Sequence, residues 1–279
     1  MNTNDQELLL GKHTDYVFEY DASLIFPISR SQNREKLNMP NKKVEGGLPF
    51  FGVDVWTGYE LSWLNLKGKP QVAIVEFIIP ANSTHIVESK SFKLYLNSFN
   101  QTKLSGTDEL KTRLETDLSK GFGGDVRVVL HSVMDFPVST ANIGQCIDDL
   151  DIEVSEYEPN SELLVCASEE VVTETLNSHL LKSNCPVTGQ PDWATLVIDY
   201  TGPKLDQEAL LKYVISYRGH DDFHEHCVEQ IFCDLANLGD FEQLMVTARY
   251  TRRGGLDINP TRSLSAVSPE NLLGRLARQ

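Results

Sequence analysis

The sequence predicts an α+β protein made of two tandem, related modules, and three observations lead there. An order of two strands, two helices and a further strand occurs twice along the 279 residues. The first helix of each half carries a similar short stretch, FKLYL at 92–96 and LKYVI at 211–215. Between the halves, CIDDLDIEVSEYEPNSELLVCASEE at 146–170 holds nine acidic residues and no Lys or Arg, a composition suited to an exposed connection. The boundary is accordingly placed after residue 168, which gives modules 1–168 and 169–279.

Each element follows from local pattern. YELSWLN and QVAIVEFII flank the Gly/Pro turn LKGKP and read as a β-hairpin. KSFKLYLNSF at 90–99 is a first helix, and TDELKTRLETDLSKG at 107–121 is a second, with Leu110, Leu114 and Leu118 on one face and Gly121 as its stop. VRVVLHSV returns as a strand. In the second half, LNSHLLKS and WATLVIDY are neighbouring strands, and LDQEALLKYVISY is a helix with Asp206 as N-cap. A further helix runs from Phe223 to Leu238 before Gly239, its apolar stripe formed by Phe223, Cys227 and Ile231, and FEQLMVTARYT closes the half as a strand.

Composition limits the function. With 40 acidic against 25 basic residues the chain carries −15 at pH 7, a field that repels nucleic-acid phosphates. No run of eighteen apolar residues occurs, because Glu76 interrupts VAIVEFII, the longest greasy stretch. The N-terminus MNTNDQELLLGKH lacks the basic and apolar regions of an export signal, and five scattered cysteines suit reduced thiols, so a cytoplasmic protein is expected. GFGGDV at 121–126 lacks the third glycine of a dinucleotide fingerprint and follows a helix instead of a strand. P-loop and nucleophile-elbow motifs are absent from the sequence.

Several patterns carry chemistry. FHEHC at 223–227 suggests zinc, but His224, His226 and Cys227 point around a helix and no CxxC accompanies them, so no metal is expected and Cys227 reads as core. Cys146, Cys166 and Cys233 receive the same structural reading. Cys185 differs, lying in the loop SNCPVTGQPDW with Asp192 seven positions on, where a partly exposed thiol has an acid to move its proton. Glu225 falls among first-turn amides that favour its anion, a natural acceptor for paired N–H donors on a purine-like edge, with His224 beside it. In ESKSFKLYLNSF, Glu88, Ser89, Lys90 and Lys93 open a helix where amides, hydroxyl and ammonium groups converge on an anion. From Arg249 to Gln279 six Arg oppose two acids, with Arg252 and Arg253 ahead of two glycines, and two such basic elements suit a phosphorylated cofactor.

Taken in order and spacing, ESKSFKLYLNS, SNCPVTGQPDW, FHEHCVEQIF and ARYTRRGGLDINP resemble the NADPH-dependent 7-cyano-7-deazaguanine reductases, the QueF family, in their long two-module form. The resemblance covers nearly the whole chain. It implies two tandem tunnelling-fold (T-fold) modules and reduction of the nitrile of 7-cyano-7-deazaguanine to an aminomethyl group with two NADPH, on the route to the queuosine of tRNA. It implies Cys185 as nucleophile and Asp192 as general acid. Val87, Glu88, Ser89, His224 and Glu225 would hold the substrate, and Ser89, Lys90, Arg253 and Gly254 would contact NADPH. A homodimer is implied too, with the free base and not tRNA as the molecule handled.

The chemistry asks for these groups. A nitrile carbon accepts hydride poorly, whereas a thioimide formed by Cys185 is more electrophilic, and cysteine both attacks and leaves well. A general acid must hold a proton, so surroundings favouring neutral Asp192 are expected. Two other readings remain open: a GTP-cyclohydrolase-like zinc hydrolase, and a non-catalytic purine- or pterin-binding module.

Overall fold

The computed structural model describes residues 17–279 except 42, 45, 137, 138, 140–142, 269–271 and 273, so most of the N-terminal stretch lies outside the described residues. In chain order the elements are β1 (Pro27–Ser29), α1 (Ser31–Arg34), β2 (Phe51–Asn65), β3 (Pro70–Pro80), β4 (His85–Val87), α2 (Ser89–Asn97), β5 (Lys103–Leu104), α3 (Thr107–Phe122) and β6 (Arg127–His131). There follow β7 (Gln145–Cys146), β8 (Cys166–Asn184), β9 (Pro191–Leu205), α4 (Gln207–Ser216), α5 (His224–Leu238), β10 (Gln243–Tyr250) and β11 (Leu256–Ser263).

The hairpin, the four principal helices and β10 lie where the periodicity puts them. Asp206 caps α4 as expected, its Oδ1 accepting from Ala209 N at 2.9 Å. Three details differ. Gly123, not Gly121, stops α3: it takes φ +65°, while Gly121 stays inside the helix, where a Cβ would press on Ile25. The strand expected at Leu176 starts ten residues earlier, at Cys166, so part of the acid-rich stretch is an exposed sheet strand. Strand β11 had no counterpart in the sequence reading. Its Pro260 breaks the strand pattern, and its Asp257, Asn259, Thr261 and Arg262 are polar yet buried.

The main sheet has nine strands, β6-β3-β2-β11-β10-β9-β8-β7 with β5 beside β2. Neighbours pair antiparallel except at β2–β5 and β7–β8. The two halves join through β11, whose Leu256–Ser263 pairs with Gly58–Phe51 of β2. The α2 and α3 side chains Phe92, Leu110, Leu114, Leu118 and Phe122 pack on Trp56, Phe77 and Val128 of β2, β3 and β6. Phe92 meets Trp56 and Phe77 edge-on at 4.8 and 5.0 Å. A second core gathers Leu211, Tyr213 and Val214 of α4 and Cys227, Ile231 and Phe232 of α5 over Leu196, Ile198 and Val246. Each such burial contributes about 1.5–3 kcal/mol. Phe223 of the expected stripe does not enter this core and lines a cavity instead.

At the junction of the halves lies a buried charge network. Asp54 of β2 accepts from Arg30 at 2.6 Å and from Arg262 of β11 at 2.7 Å. Glu229 of α5 is held by Arg262 at 2.8 Å and by Arg34 of α1 at 2.7 and 2.9 Å. Burial alone would raise the Glu229 carboxyl, but Arg262, Arg34 and Arg30 outweigh it and hold the group well below the usual carboxylate range. Its contribution to stability is therefore complete above the unfolded carboxyl pKa and disappears as pH falls through the lower folded one. Glu229→Gln leaves Asp54 as the single carboxylate facing three guanidiniums and is expected to lower unfolding stability by about 3–5 kcal/mol, read from urea midpoints. A loss below about 1 kcal/mol would show that the network adds nothing beyond an ordinary surface pair.

Candidate active site

A cavity opens between the halves. Val87 and Ser89 reach it from the β4–α2 junction, Cys185 from the β8–β9 turn, Asp192 from the start of β9, His224 and Glu225 from the first turn of α5, and Arg253 from the β10–β11 turn. Two hairpin turns thus face one helix start. In the first, Cys185 N donates to Gln190 O and Gly189 N to Cys185 O, both at 2.9 Å, with Gly189 at φ +67°. In the second, Arg253 and Leu256 bracket Gly254 and Gly255 at φ +56° and +72°, the pair of positive angles that a two-residue type I′ turn requires.

The Cys185 turn conditions its thiol. The residue is 5% exposed, more enclosed than a loop position suggested. Burial would push the thiol up, but hydrogen bonds from the Thr188 hydroxyl, the Val187 and Thr188 amides and Arg253 prevail and bring it below its ordinary value. Asp192 is 3% exposed, its Oδ1 2.8 Å from Arg253 Nε and its Oδ2 3.3 Å from His224 Nε2. The His224 ring stacks on Tyr250 at 3.6 Å.

Glu225 is buried, and its Oε1, like His224 Nδ1, has no hydrogen-bond partner among the described residues. First-turn amides favour its anion, yet burial and the nearby Asp54 carboxylate push it upward, with Arg30 and His224 only partly offsetting them. A ligand presenting N–H donors would relieve that cost, since an unmet buried acceptor is expensive.

Residues 16–130 match the family described as "Nitrile reductase, 7-cyano-7-deazaguanine-reductase N-term", and residues 191–268 that described as "QueF-like protein". The NADPH-dependent 7-cyano-7-deazaguanine reductase of Bordetella avium is 54% identical over 97% of this chain and 97% of its own. The protein of that name from Chromobacterium violaceum is 52% identical over 97% and 96%. The chain belongs to the 7-cyano-7-deazaguanine reductase family. A solved structure of the archaeosine synthase QueF-Like in the apo form covers 36% of this chain and 96% of its own at 22% identity and a TM-score of 0.30, too slight a likeness to bear on the fold.

Among the residues that the reductase resemblance assigns, Val87, Ser89, Cys185, Asp192, His224, Glu225 and Arg253 share the cavity. Glu88 does not line it: both carboxylate oxygens cap α2, accepting from Lys90 N at 2.8 Å and Ser91 N at 2.7 Å. Lys90 and Gly254 line an adjoining groove of about 1070 Å³, with Lys93 and Leu256 common to groove and cavity. Burial and the neighbouring Arg253 hold the Lys93 ammonium below its usual range, against the pull of Glu88, Asp192 and Cys185.

Two cavity residues escaped the sequence reading. Trp56 has a buried indole Nε1 without a partner among the described residues, yet on β2 it follows the same pattern as a core residue. Asp222 precedes the FHEHC motif and accepts from Phe223 N at 2.7 Å and Asn33 Nδ2 at 2.9 Å, fixing the start of α5. The cysteines also divide: Cys227 and Cys233 are buried as expected, whereas Cys166 is half-buried and Cys146 exposed. The basic C-terminal stretch proves largely structural, with Arg262 in the charge network, Arg249 on Gln279 at 2.8 Å and Arg252 over the Tyr59 ring.

The Cys185 peptide is expected to react with iodoacetamide with a pH midpoint lower than that of an ordinary thiol. Thr188→Val should move that midpoint up by about 0.4–1 pH unit, mapped by mass spectrometry to separate it from exposed Cys146. An identical midpoint in both proteins would mean that the turn does not tune the thiol.

Proposed function

We propose that this chain reduces the nitrile of 7-cyano-7-deazaguanine to the primary amine of 7-aminomethyl-7-deazaguanine, consuming two NADPH, as a step in queuosine biosynthesis for tRNA modification. The observation that carries this reading is one cavity presenting a hydrogen-bonded thiol, a carboxyl group and an unpartnered buried carboxylate oxygen. The names of relatives more than half identical over nearly the whole chain support it.

Glu225 accepts the paired N–H donors of the guanine-like edge, and His224, fixed by stacking on Tyr250, adds a further hydrogen bond. Cys185 Sγ adds to the nitrile carbon while a proton passes from Asp192 to the nitrile nitrogen, which leaves a thioimide on the chain. NADPH held in the adjoining groove would supply the two hydrides, one to that carbon and one to the imine left when sulfur departs, while Asp192, reprotonated from solvent, gives the amine its second proton. Cys185 departs as thiolate, a good leaving group given the hydrogen bonds that hold its sulfur.

The adjoining groove fits an anionic cofactor. Lys90 and Lys93 supply charge, and Gly254, whose φ of +56° favours glycine, bares its backbone to the groove. Ser89, Lys90, Arg253 and Gly254 would hold the cofactor, Val87 and Ser89 the base, and Glu88 would act through the helix start that it caps. Two helix-covered cores on one sheet support two tandem T-fold modules, and since Ile147 and Leu164 already pack into the second core, the division falls earlier than residue 168. A cytoplasmic homodimer acting on the free base, without tRNA, completes the reading. Among the described residues no helix is long and apolar enough to cross a membrane.

Purified protein should oxidise two NADPH per base and show an adduct by intact mass, and Cys185→Ala should abolish both. Asp192→Asn is expected to slow turnover by about 10²–10⁴-fold. Glu225→Gln should weaken base binding by about 10- to 100-fold. Base binding unchanged by Cys185→Ala with no NADPH oxidation would favour a binding module, and chelator-sensitive activity with stoichiometric zinc a hydrolase.

A further inference from the structure

Arg253 and Asp192, the residues proposed to meet the cofactor and to donate the proton, are each other's partners in the structure. Arg253 Nε lies 2.8 Å from Asp192 Oδ1 and its Nη2 3.3 Å from Oδ2, so the fork of the guanidinium covers both carboxylate oxygens. Asp192 is 3% exposed, while the Arg253 side chain keeps 25% of its surface open. A carboxylate held this way accepts hydrogen bonds and cannot donate a proton. The proposed reaction needs it to donate.

The surroundings show what could part them. Arg253 stands at the first position of its turn, with Gly254 of the same turn lining the groove where Lys90 and Lys93 gather. The remaining groups around Asp192 come from every neighbouring element: Lys93 from α2, Cys185 from the β8–β9 turn, His224 and Cys227 from α5, and Tyr250 from β10. Among them, only Arg253 pairs with the carboxylate in a two-pronged geometry that a phosphate can also engage.

We propose that Arg253 is a latch that exchanges Asp192 for a phosphate group of the cofactor, so that filling the groove loads Asp192 with a proton from solvent. This rests on the nitrile reductase reading. It makes the general acid available only when a reductant is present, through Asp–COO⁻ and one solvent proton becoming Asp–COOH. Binding that takes up a proton must strengthen as pH falls, by up to about tenfold per pH unit.

The test is calorimetric titration of NADP⁺, which cannot reduce the base, into the intact protein without base near pH 8, in buffers of differing ionisation enthalpy. At that pH the cofactor's own phosphates are ionised, and the buffer dependence counts protons. Because Cys185 also loses Arg253 and can gain a proton near pH 8, the count is made in the Cys185→Ala protein too: uptake is expected to persist there and to vanish in Cys185→Ala combined with Asp192→Asn. The Asp192→Asn protein should also bind NADP⁺ about fivefold or more tightly, because the competing partner of Arg253 is gone; a merely structural aspartate would give equal or weaker binding. Binding without proton uptake in the parent, which needs no variant to fold, overturns the latch and leaves the reductase reading standing. Failure of NADP⁺ to bind a protein that melts cooperatively overturns both.

Discussion

The buried network of Asp54, Glu229, Arg30, Arg34 and Arg262 is the constraint on which the rest of the molecule depends. The five members come from four elements, Arg30 and Arg34 both belonging to α1 and its cap, so satisfying all of them admits one arrangement of α1, α5, β2 and β11. Desolvating two carboxylates and three guanidiniums is costly, and their net stabilisation is small beside that of the two apolar cores. What the network supplies is position. Glu225 sits one turn before Glu229 on α5, and the residues that fix Glu229 also set the field that Glu225 feels, Asp54 raising it and Arg30 lowering it.

The cavity's polar groups are placed by connections, and the layers beneath keep those connections in register. Cys185 and Arg253 occupy neighbouring hairpin turns because β9 and β10 are paired, with Thr251 N donating to Trp193 O at 2.8 Å. Helix α2 is presented by the small β1–β4 ribbon, and Glu88 secures its first turn. The cavity therefore combines a thiol from one half with the α2 start from the other, and neither half encloses it alone.

Much of this was legible in the sequence where a single principle governs. The leucines of α3, the cap at Asp206 and the alternation of β10 each answer to periodicity or to a local hydrogen bond. Strand β11 was not legible, because its buried side chains are polar and their partners lie far away in the chain: Arg262 finds Asp54 at a separation of 208 residues. The basic C-terminal stretch misled for a related reason, since charge counting cannot separate an arginine that meets a ligand from one that meets Asp54 or Gln279. Cys185, Asp192, His224 and Glu225 were visible through motifs, whereas Trp56 was hidden in a pattern shared with every core strand residue.

The seam between β2 and β11 also bears on how the molecule comes into being. A strand made early waits for one made some two hundred residues later, a loop closure that slows folding and leaves the first half with an open sheet edge during synthesis. Cys185 is made well before Arg253 and the strand that follows it, so the thiol spends that interval without the guanidinium that helps to activate it. The emergence of β11 thus completes the seam and follows directly on the arrival of the charge beside Cys185, which limits thiol chemistry on an unfinished chain.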